Sequence, residues 1–281
     1  MQQQYKYQLF KGSKKWVCPQ CGRKTFVPFV LADNKTMAGP EFGRCDREQK
    51  CGYFRAPGGN ARQTAQPVRQ VEPAPPLRFS PSVLRPKVST LFRWAENVLG
   101  RDKAVEAWRR YNVSADSQGR TIFWQQSIDG TVRAGKAMAY DSTGHRLHEV
   151  SGAVTWCHRL AEFAPQRSGS ELEQCFFGEH LLPGNRLPVA VVESEKTAVM
   201  MSALEPEVLW LACGGSQMLK SDTRLHVLSG FNVVLVPDEG QTDAWARIAA
   251  QHGYQLDDIC REFPTAPGCD ILDLYLQPTK K

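Results

Sequence analysis

The chain has 281 residues, 42% hydrophobic and 23% charged, a balance that fits a soluble globular protein with room for two or three small domains. No apolar run reaches the roughly 18 residues that read as a membrane span, and the opening MQQQYKYQLFKGSKKW lacks the apolar core of a secretory signal. A cytoplasmic protein with no membrane partner is expected, and nine cysteines in that setting favour thiols and metal ligation over disulfides.

The net charge of +6 is unevenly spread. Residues 1–55 carry 11 Lys/Arg against 4 Asp/Glu, residues 56–87 carry 5 against 1, and residues 88–281 carry 19 against 24. A basic front and an acidic body predict that the front meets a polyanion, single-stranded DNA or RNA.

In the front segment Cys18-Pro-Gln-Cys21 precedes Cys45 and Cys51. A two-residue gap suits a thiolate knuckle on tetrahedral zinc. Gly22 and Gly52, each just after a cysteine, let the backbone turn toward the sulfurs. A redox CxxC or four unrelated thiols are the alternatives; a redox motif belongs to a βαβ unit, for which the helix signals are too few. Zinc would also explain how so small a module folds. Lys24 and Arg44, among other cations, lie between Trp16, Phe26, Phe29, Phe42, Tyr53 and Phe54. Cations and aromatics together suit single-stranded nucleic acid, although at least half of these rings are expected in the core.

Residues 56–87 hold 7 of the 18 prolines and read as a semi-rigid linker. STLFRWAENVLG predicts a helix capped by Ser89 or Thr90, with Leu91, Trp94, Ala95 and Val98 on one face and Gly100 as its stop; DKAVEAWRRY predicts a second. TIFWQQS, Asp129-Gly130 and TVRAGKAMAY read as a β-hairpin. Then the order becomes strand (187–193), helix (195–204), strand (208–212), a Gly-Gly loop, helix, strand (231–237) and helix (241–252), the alternation of a parallel α/β sheet. The remaining cysteines, Cys157, Cys175, Cys213, Cys260 and Cys269, show no ligand spacing and read as small buried hydrophobes.

Two of these strands are continuous Val/Leu runs that end in an acid: VAVVESEK at Glu193 and VVLVPDE at Asp238. Working sites of open α/β sheets lie beyond the carboxyl ends of such strands, and paired acids there suit a divalent metal and phosphate chemistry. Either acid could instead serve the N-terminus of the next helix. Lys196 reads as a solvated helix residue or as a phosphate contact. In Asp270-x-x-Asp273 one Asp could cap the helix ILDLYL.

Glu193, the Gly214-Gly215 turn, Asp238, then Asp270 and Asp273 stand in the motif order of the toprim domain of DnaG-type primases, topoisomerases and some nucleases. Residues 187–277 carry this resemblance. Upstream, RTIFWQQSIDGTVRAGKAMAYDSTGHR resembles the hairpin of the segment that precedes the toprim domain in primases, matching at Phe123, Gly130 and Gly135-Lys136. CFFGEHLL resembles the strand and turn leading into the toprim core. The whole resembles a compact primase of the type carried by bacterial mobile elements.

The fold class so implied is α/β: a toprim-like parallel sheet flanked by helices, preceded by a small α+β hairpin domain and an N-terminal zinc ribbon. The expected domains are a zinc ribbon at 1–55, a Pro-rich linker at 56–87, a primase-type α/β domain at 88–186 and a toprim-like domain at 187–281. The resemblance implies primer synthesis on single-stranded DNA from nucleoside triphosphates, structural zinc on Cys18, Cys21, Cys45 and Cys51, and catalytic Mg or Mn on Glu193, Asp238, Asp270 and Asp273. It implies template or nucleotide contacts at Lys136 and Arg133, and a replication or mobilisation protein as partner. Two departures reduce the ligand count. Gly240 stands where the family has the second Asp of its Asp-x-Asp, and Thr197 where an acid often follows the strand-end Glu by four. Ser194 replaces a Gly. Glu239, Asp243 and Glu195 are the acids near enough to substitute. A metal-binding nucleic-acid module without turnover and a toprim nuclease are the alternative functions.

Overall fold

The computed structural model describes residues 6–47, 50–58, 74–147, 151–215, 218–263 and 266–277. The chain divides into two compact units, Met1–Glu72 and Pro73–Lys281.

The first unit is a four-stranded antiparallel sheet in the order β1 (Tyr7–Leu9), β2 (Phe26–Leu31), β3 (Gly43–Cys45) and β4 (Phe54–Arg55). Its core is Cys18, Phe26 and Cys45, with Trp16, Cys21, Cys51 and Tyr53 packed around them. Four of these seven residues are thiols, so the apolar burial that drives folding is small here. Of the six rings singled out above, Phe26 is buried and Phe54 is 63% exposed, and the other four are half-buried.

The second unit begins inside the segment read as linker. β5 (Arg78–Phe79) joins a sheet, with Leu77 and Phe79 buried and the Phe79 ring edge-on to Trp124 at 5.2 Å. Proline density hid this strand, because prolines flank it without entering it. Helices α1 (Thr90–Leu99) and α2 (Arg101–Arg110) follow, broken at Gly100 as expected. Ser89 is the cap of α1, its hydroxyl accepting from the Phe92 amide at 3.2 Å. The buried face is Leu91, Phe92 and Ala95; Val98 is exposed. The face turns because α2 packs on the Phe92 side, where Trp108 meets that ring at 5.5 Å.

β6 (Ser114–Ala115), β7 (Thr121–Gln126), β8 (Val132–Met138), β9 (Val154–Trp156) and β10 (Arg167–Ser168) complete an antiparallel sheet in the order β10-β5-β8-β7-β6, with β9 also on β8. The hairpin of β7 and β8 turns at Asp129-Gly130, as its sequence predicts. The Asp129 carboxylate accepts from the Ser127 hydroxyl and the Thr131 amide, which holds it down at about 2. In CFFGEHLL, Phe177 bridges antiparallel to Ala212, and the chain turns at 178–181.

The last part is a parallel sheet in the order β12 (Leu209–Ala212), β11 (Val189–Val192), β13 (Val233–Leu235) and β14 (Gln255–Leu256). Helices α3 (Glu195–Leu204), α4 (Asp222–Leu225), α5 (Thr242–His252), α6 (Ile259–Glu262) and α7 (Ile271–Tyr275) surround it. The helix expected after the Gly-Gly loop is only the four-residue α4, flanked by 3₁₀ turns.

Every residue of β11 and β12 is buried, as a continuous apolar strand requires. Alternate side chains enter two cores. Val189, Val191, Leu209, Leu211, Val233 and Leu235 pack with Trp245. Ala190, Val192, Trp210 and Ala212 pack with α1, α2, Phe123 and Phe177. Tyr111 closes the second core with a 2.7 Å hydrogen bond from its hydroxyl to the Trp210 carbonyl. The division expected at 186/187 therefore falls inside a shared core, with no break between hairpin and parallel sheet. The five cysteines read as small hydrophobes are all buried.

Candidate metal centres and nucleic-acid interface

In the first unit the four cysteines converge from two knuckles. Cys18 N–H donates to Arg23 O at 2.8 Å and Gly22 N–H to Cys18 O at 2.9 Å; in the second knuckle Cys51 N–H donates to Arg47 O at 2.7 Å. Gly22 (φ 66°) and Gly52 (φ 68°) take the left-handed conformation, which side chains resist. Between Cys45 and Cys51 the Arg47 carbonyl also accepts from the Lys50 amide at 3.1 Å. All four sulfurs lie within 4.8 Å of one another, with Cys18–Cys51 at 3.7 Å and Cys21–Cys45 at 3.9 Å. Sulfurs on a tetrahedral zinc, each about 2.3 Å from the metal, stand about 3.8 Å apart. The site fits zinc closely. Thr25 adds a hydroxyl 3.1 Å from the Cys45 sulfur.

The surface around this cluster is cationic and aromatic. Lys24 is exposed and Arg44 half-buried. Lys14 lies over the Trp16 ring at 5.2 Å and Arg55 over Phe42 at 5.4 Å, while Lys15 pairs with Asp46 at 2.7 Å.

In the second unit the predicted acids gather at the carboxyl end of the parallel sheet. Glu193 is the first residue past β11; Asp238 is the third past β13. Two hydrogen bonds tie Asp270 to them. Glu239 N–H donates to Cys269 O at 2.9 Å, joining the loop after Asp238 to the residue before Asp270. The Thr197 hydroxyl donates to the Asp270 carboxylate, joining the first turn of α3 to the cap of α7. Burial first, and then the charges of Asp270, Glu193 and Asp273, push the Asp238 carboxyl up to about 8. Burial likewise pushes the Cys213 thiol up to about 12, assisted by Glu193, Glu195 and Asp238 against the Gly215 amide. The acids are near neighbours, yet among the described residues only the cysteines bring three or more ligand atoms all within 4.8 Å.

Asp270 and Asp273 also form a reciprocal capping box at α7, with amide-to-carboxylate bonds of 3.0 Å each way. Capping and metal ligation are compatible here, since each carboxylate keeps further lone pairs.

The structure gives the three possible substitute acids other partners. Glu239 accepts from the Gly268 amide at 2.9 Å. Asp243 forms an exposed pair with Arg261 at 3.1 Å. Glu195 pairs with Lys136 at 3.1 Å. Of the basic residues, Lys196 donates to Gly144 O at 3.2 Å and lies over the Trp94 ring at 5.5 Å, so it is held within the fold. Arg133 stands 3.8 Å from Glu173, which also binds Arg78 at 2.8 Å. Sequence separation concealed these partners: Arg78 and Glu173 are 95 residues apart, Lys136 and Glu195 are 59 apart.

A zinc-type ribbon and an α/β unit with an acid-lined strand end thus define the molecule. The chain belongs to the family described as a domain of unknown function (DUF6371), which matches residues 89–239. Residues 3–66 match the zinc beta-ribbon finger family. No curated protein sequence matches. Among solved structures, the chain is similar to the primase fragment of the bacteriophage T7 primase-helicase protein. The identity is 14%, the TM-score 0.41, and the match covers 94% of this chain and 95% of that one. For the zinc-binding and RNA polymerase domains of the Aquifex aeolicus primase the identity is 11%, the TM-score 0.38, and the coverage 89% and 73%. For the RNA polymerase domain of Mycobacterium tuberculosis primase DnaG the identity is 17% and the TM-score 0.34; the match covers 72% of this chain and 65% of that one. Among the described residues no helix is long and apolar enough to cross a membrane.

Proposed function

We propose that the chain is a primase-like nucleotidyltransferase, with a toprim-type carboxylate site that joins nucleoside triphosphates into primers on single-stranded DNA. The observation that carries this reading is the meeting of Glu193, Asp238 and Asp270 at one end of a parallel sheet, tied by the Thr197–Asp270 and Glu239–Cys269 hydrogen bonds. An all-oxygen donor set suits Mg²⁺ or Mn²⁺. Burial first, and the neighbouring acids after it, hold Asp238 up at about 8, and a divalent cation offsets both. Glu193, Asp238 and Asp270 would hold the metal, with Asp273 beside them. Bound there, it would neutralise the triphosphate and the charge developing in the transition state. Thr197 fixes the rotamer of Asp270, and the capping box fixes its backbone, so the third ligand is set before any metal arrives.

The ribbon supplies the second half of the reading. With zinc on its four cysteines it is a rigid cationic platform, on which Lys24 and Arg44 neutralise phosphates of the template and the exposed Phe54 offers a stacking surface. A cytoplasmic location and a replication or mobilisation protein as partner accompany this reading, as does a mobile-element setting.

A template-directed synthesis assay with labelled nucleoside triphosphates and Mn²⁺ tests the proposal. Product is expected from the wild-type chain and none from Glu193→Gln or Asp238→Asn. Synthesis untouched by either substitution would mean that the chemistry lies elsewhere. One observation favours a second reading, a binding module without turnover: Thr197 and Gly240 occupy two positions where the resembling family carries acids, and Thr197 spends its hydroxyl on Asp270. That reading predicts Mn²⁺ binding and DNA binding with no product. A nuclease would shorten the labelled DNA in the same assay.

A further inference from the structure

The resemblance hands Lys136 to the nucleotide and leaves Glu195 as a spare metal ligand. The geometry around the two gives them another role. An ammonium group has three donors. Those of Lys136 face three acceptors: Glu195 Oε1 at 3.1 Å, Glu195 Oε2 at 3.2 Å and the Gly214 carbonyl at 3.3 Å. A phosphate would have to displace one of these acceptors or share a donor with it. The two side chains are 15% and 2% exposed, so the carboxylate is buried and the ammonium largely so. A carboxylate so deeply buried is tolerated only because a cation meets it.

The pair spans two structural elements. Lys136 comes from the middle of β8 in the antiparallel sheet, and Glu195 from the first turn of α3. Gly214 lies two residues past the end of β12, and its N–H donates to the Glu193 carbonyl at 2.8 Å. One residue is therefore gripped through both of its peptides, by Lys136 on its carbonyl and by the Glu193 carbonyl on its amide. The position favours glycine: φ is +67°, and a Cβ there would stand 2.9 Å from Glu195 Oε1. Gln125, buried on the neighbouring β7, closes the same corner, its amide nitrogen 3.8 Å from that Cβ position.

We infer that Lys136 and Glu195 are positioning residues: their ion pair holds Gly214 in place and, through the Gly214 amide, sets the backbone of Glu193 for metal binding. This rests on the carboxylate-site reading above. It removes Glu195 from the ligand set and explains why the hairpin and the parallel sheet share one core instead of forming separable domains. The acids that bind metal are then Glu193, Asp238 and Asp270, and the pair is the reason Glu193 is placed to join them.

The test uses the full zinc-loaded chain and three variants, Lys136→Met, Glu195→Gln and the double substitution. Thermal unfolding and Mn²⁺ affinity are measured on each, with inorganic tripolyphosphate binding measured without divalent metal. Lys136→Met is expected to lower the unfolding midpoint most, because it strands a buried carboxylate, and the double variant to recover part of that loss. All three folded variants are expected to bind Mn²⁺ about 10-fold or more weakly, the range for residues that orient metal ligands, with the double no worse than the poorer single. Tripolyphosphate binding should be the same throughout. Midpoint losses that simply add would overturn the clamp, as would a Lys136→Met chain that binds Mn²⁺ as well as or better than wild type. Tripolyphosphate binding lost in Lys136→Met and gained in Glu195→Gln would make Lys136 an anion contact instead. If the wild-type chain binds no Mn²⁺, the carboxylate-site reading fails, and the thermal cycle, which needs no metal, still upholds or overturns the ion pair.

Discussion

The two candidate metal centres are built on opposite plans. In the ribbon the ligands are the core: Cys18 and Cys45 are buried with Phe26 at the centre of its one apolar cluster among the described residues, and the sulfurs already stand at zinc-ligand spacing. At the strand ends the scaffold comes first. Two apolar clusters support the parallel sheet on either face, and the acids sit at its end in mutual repulsion. A fold that depends on its metal arranges ligands tightly; a fold that stands alone can leave them under strain for a metal to relieve.

The largest expected difference is therefore in the response to chelation. A strong zinc chelator should unfold the ribbon and leave the thermal transition of residues 73–281 in place, because structural zinc supplies about 10–16 kcal/mol to such modules. Calorimetry with zinc release monitored in parallel checks this. A single transition lost together would break the comparison.

A smaller effect is expected at the acids. Asp238 titrates at about 8 in the fold against 3.8 ordinarily, so the folded chain holds that proton more tightly than the unfolded one. The sign follows: the contribution of this group to stability is full below the ordinary value and is lost as pH rises from about 4 toward about 8. Thermal melts with zinc retained and no other divalent cation should show the decline. Asp238→Asn should flatten it and raise the midpoint at pH 8, and Mn²⁺ should do the same for the wild-type chain. A wild-type curve that is flat across this range would remove the crowding argument.

The smallest change in stability belongs to the ribbon surface. Lys24→Glu with Arg44→Glu should leave both thermal transitions nearly unmoved, while weakening single-stranded DNA binding and flattening its salt dependence, by about 0.7 in log–log slope per lost phosphate contact. Unchanged affinity in a filter or anisotropy titration would set the cationic-platform reading aside.

What could be seen in the sequence follows the range of the interactions. Helix α3 matches its predicted bounds of 195–204, because a Ser cap, a first-turn acid and an apolar run are all local signals. The Asp129-Gly130 hairpin and the two acid-ended strands were equally local. The ribbon ligands were legible because spacing alone encodes a knuckle. Strand β5 was not, since its partner β8 lies some fifty residues on and prolines surround it. The buried face of α1 shifted from Val98 to Phe92 because a second helix chose it. Most of all, the fates of Lys136, Lys196 and Glu195 were hidden. Each is a charged residue with an ordinary local setting, and only tertiary contacts decide whether it faces a substrate or a neighbour.

The central claim is that the strand-end acids form one metal centre. Anomalous scattering from crystals of the zinc-loaded chain soaked in Mn²⁺ tests it most directly. The account predicts a manganese peak bounded by Glu193, Asp238 and Asp270, absent in Asp238→Asn, with Lys136 still on Glu195. Manganese found elsewhere, or nowhere while the ribbon zinc is plainly seen, would contradict it.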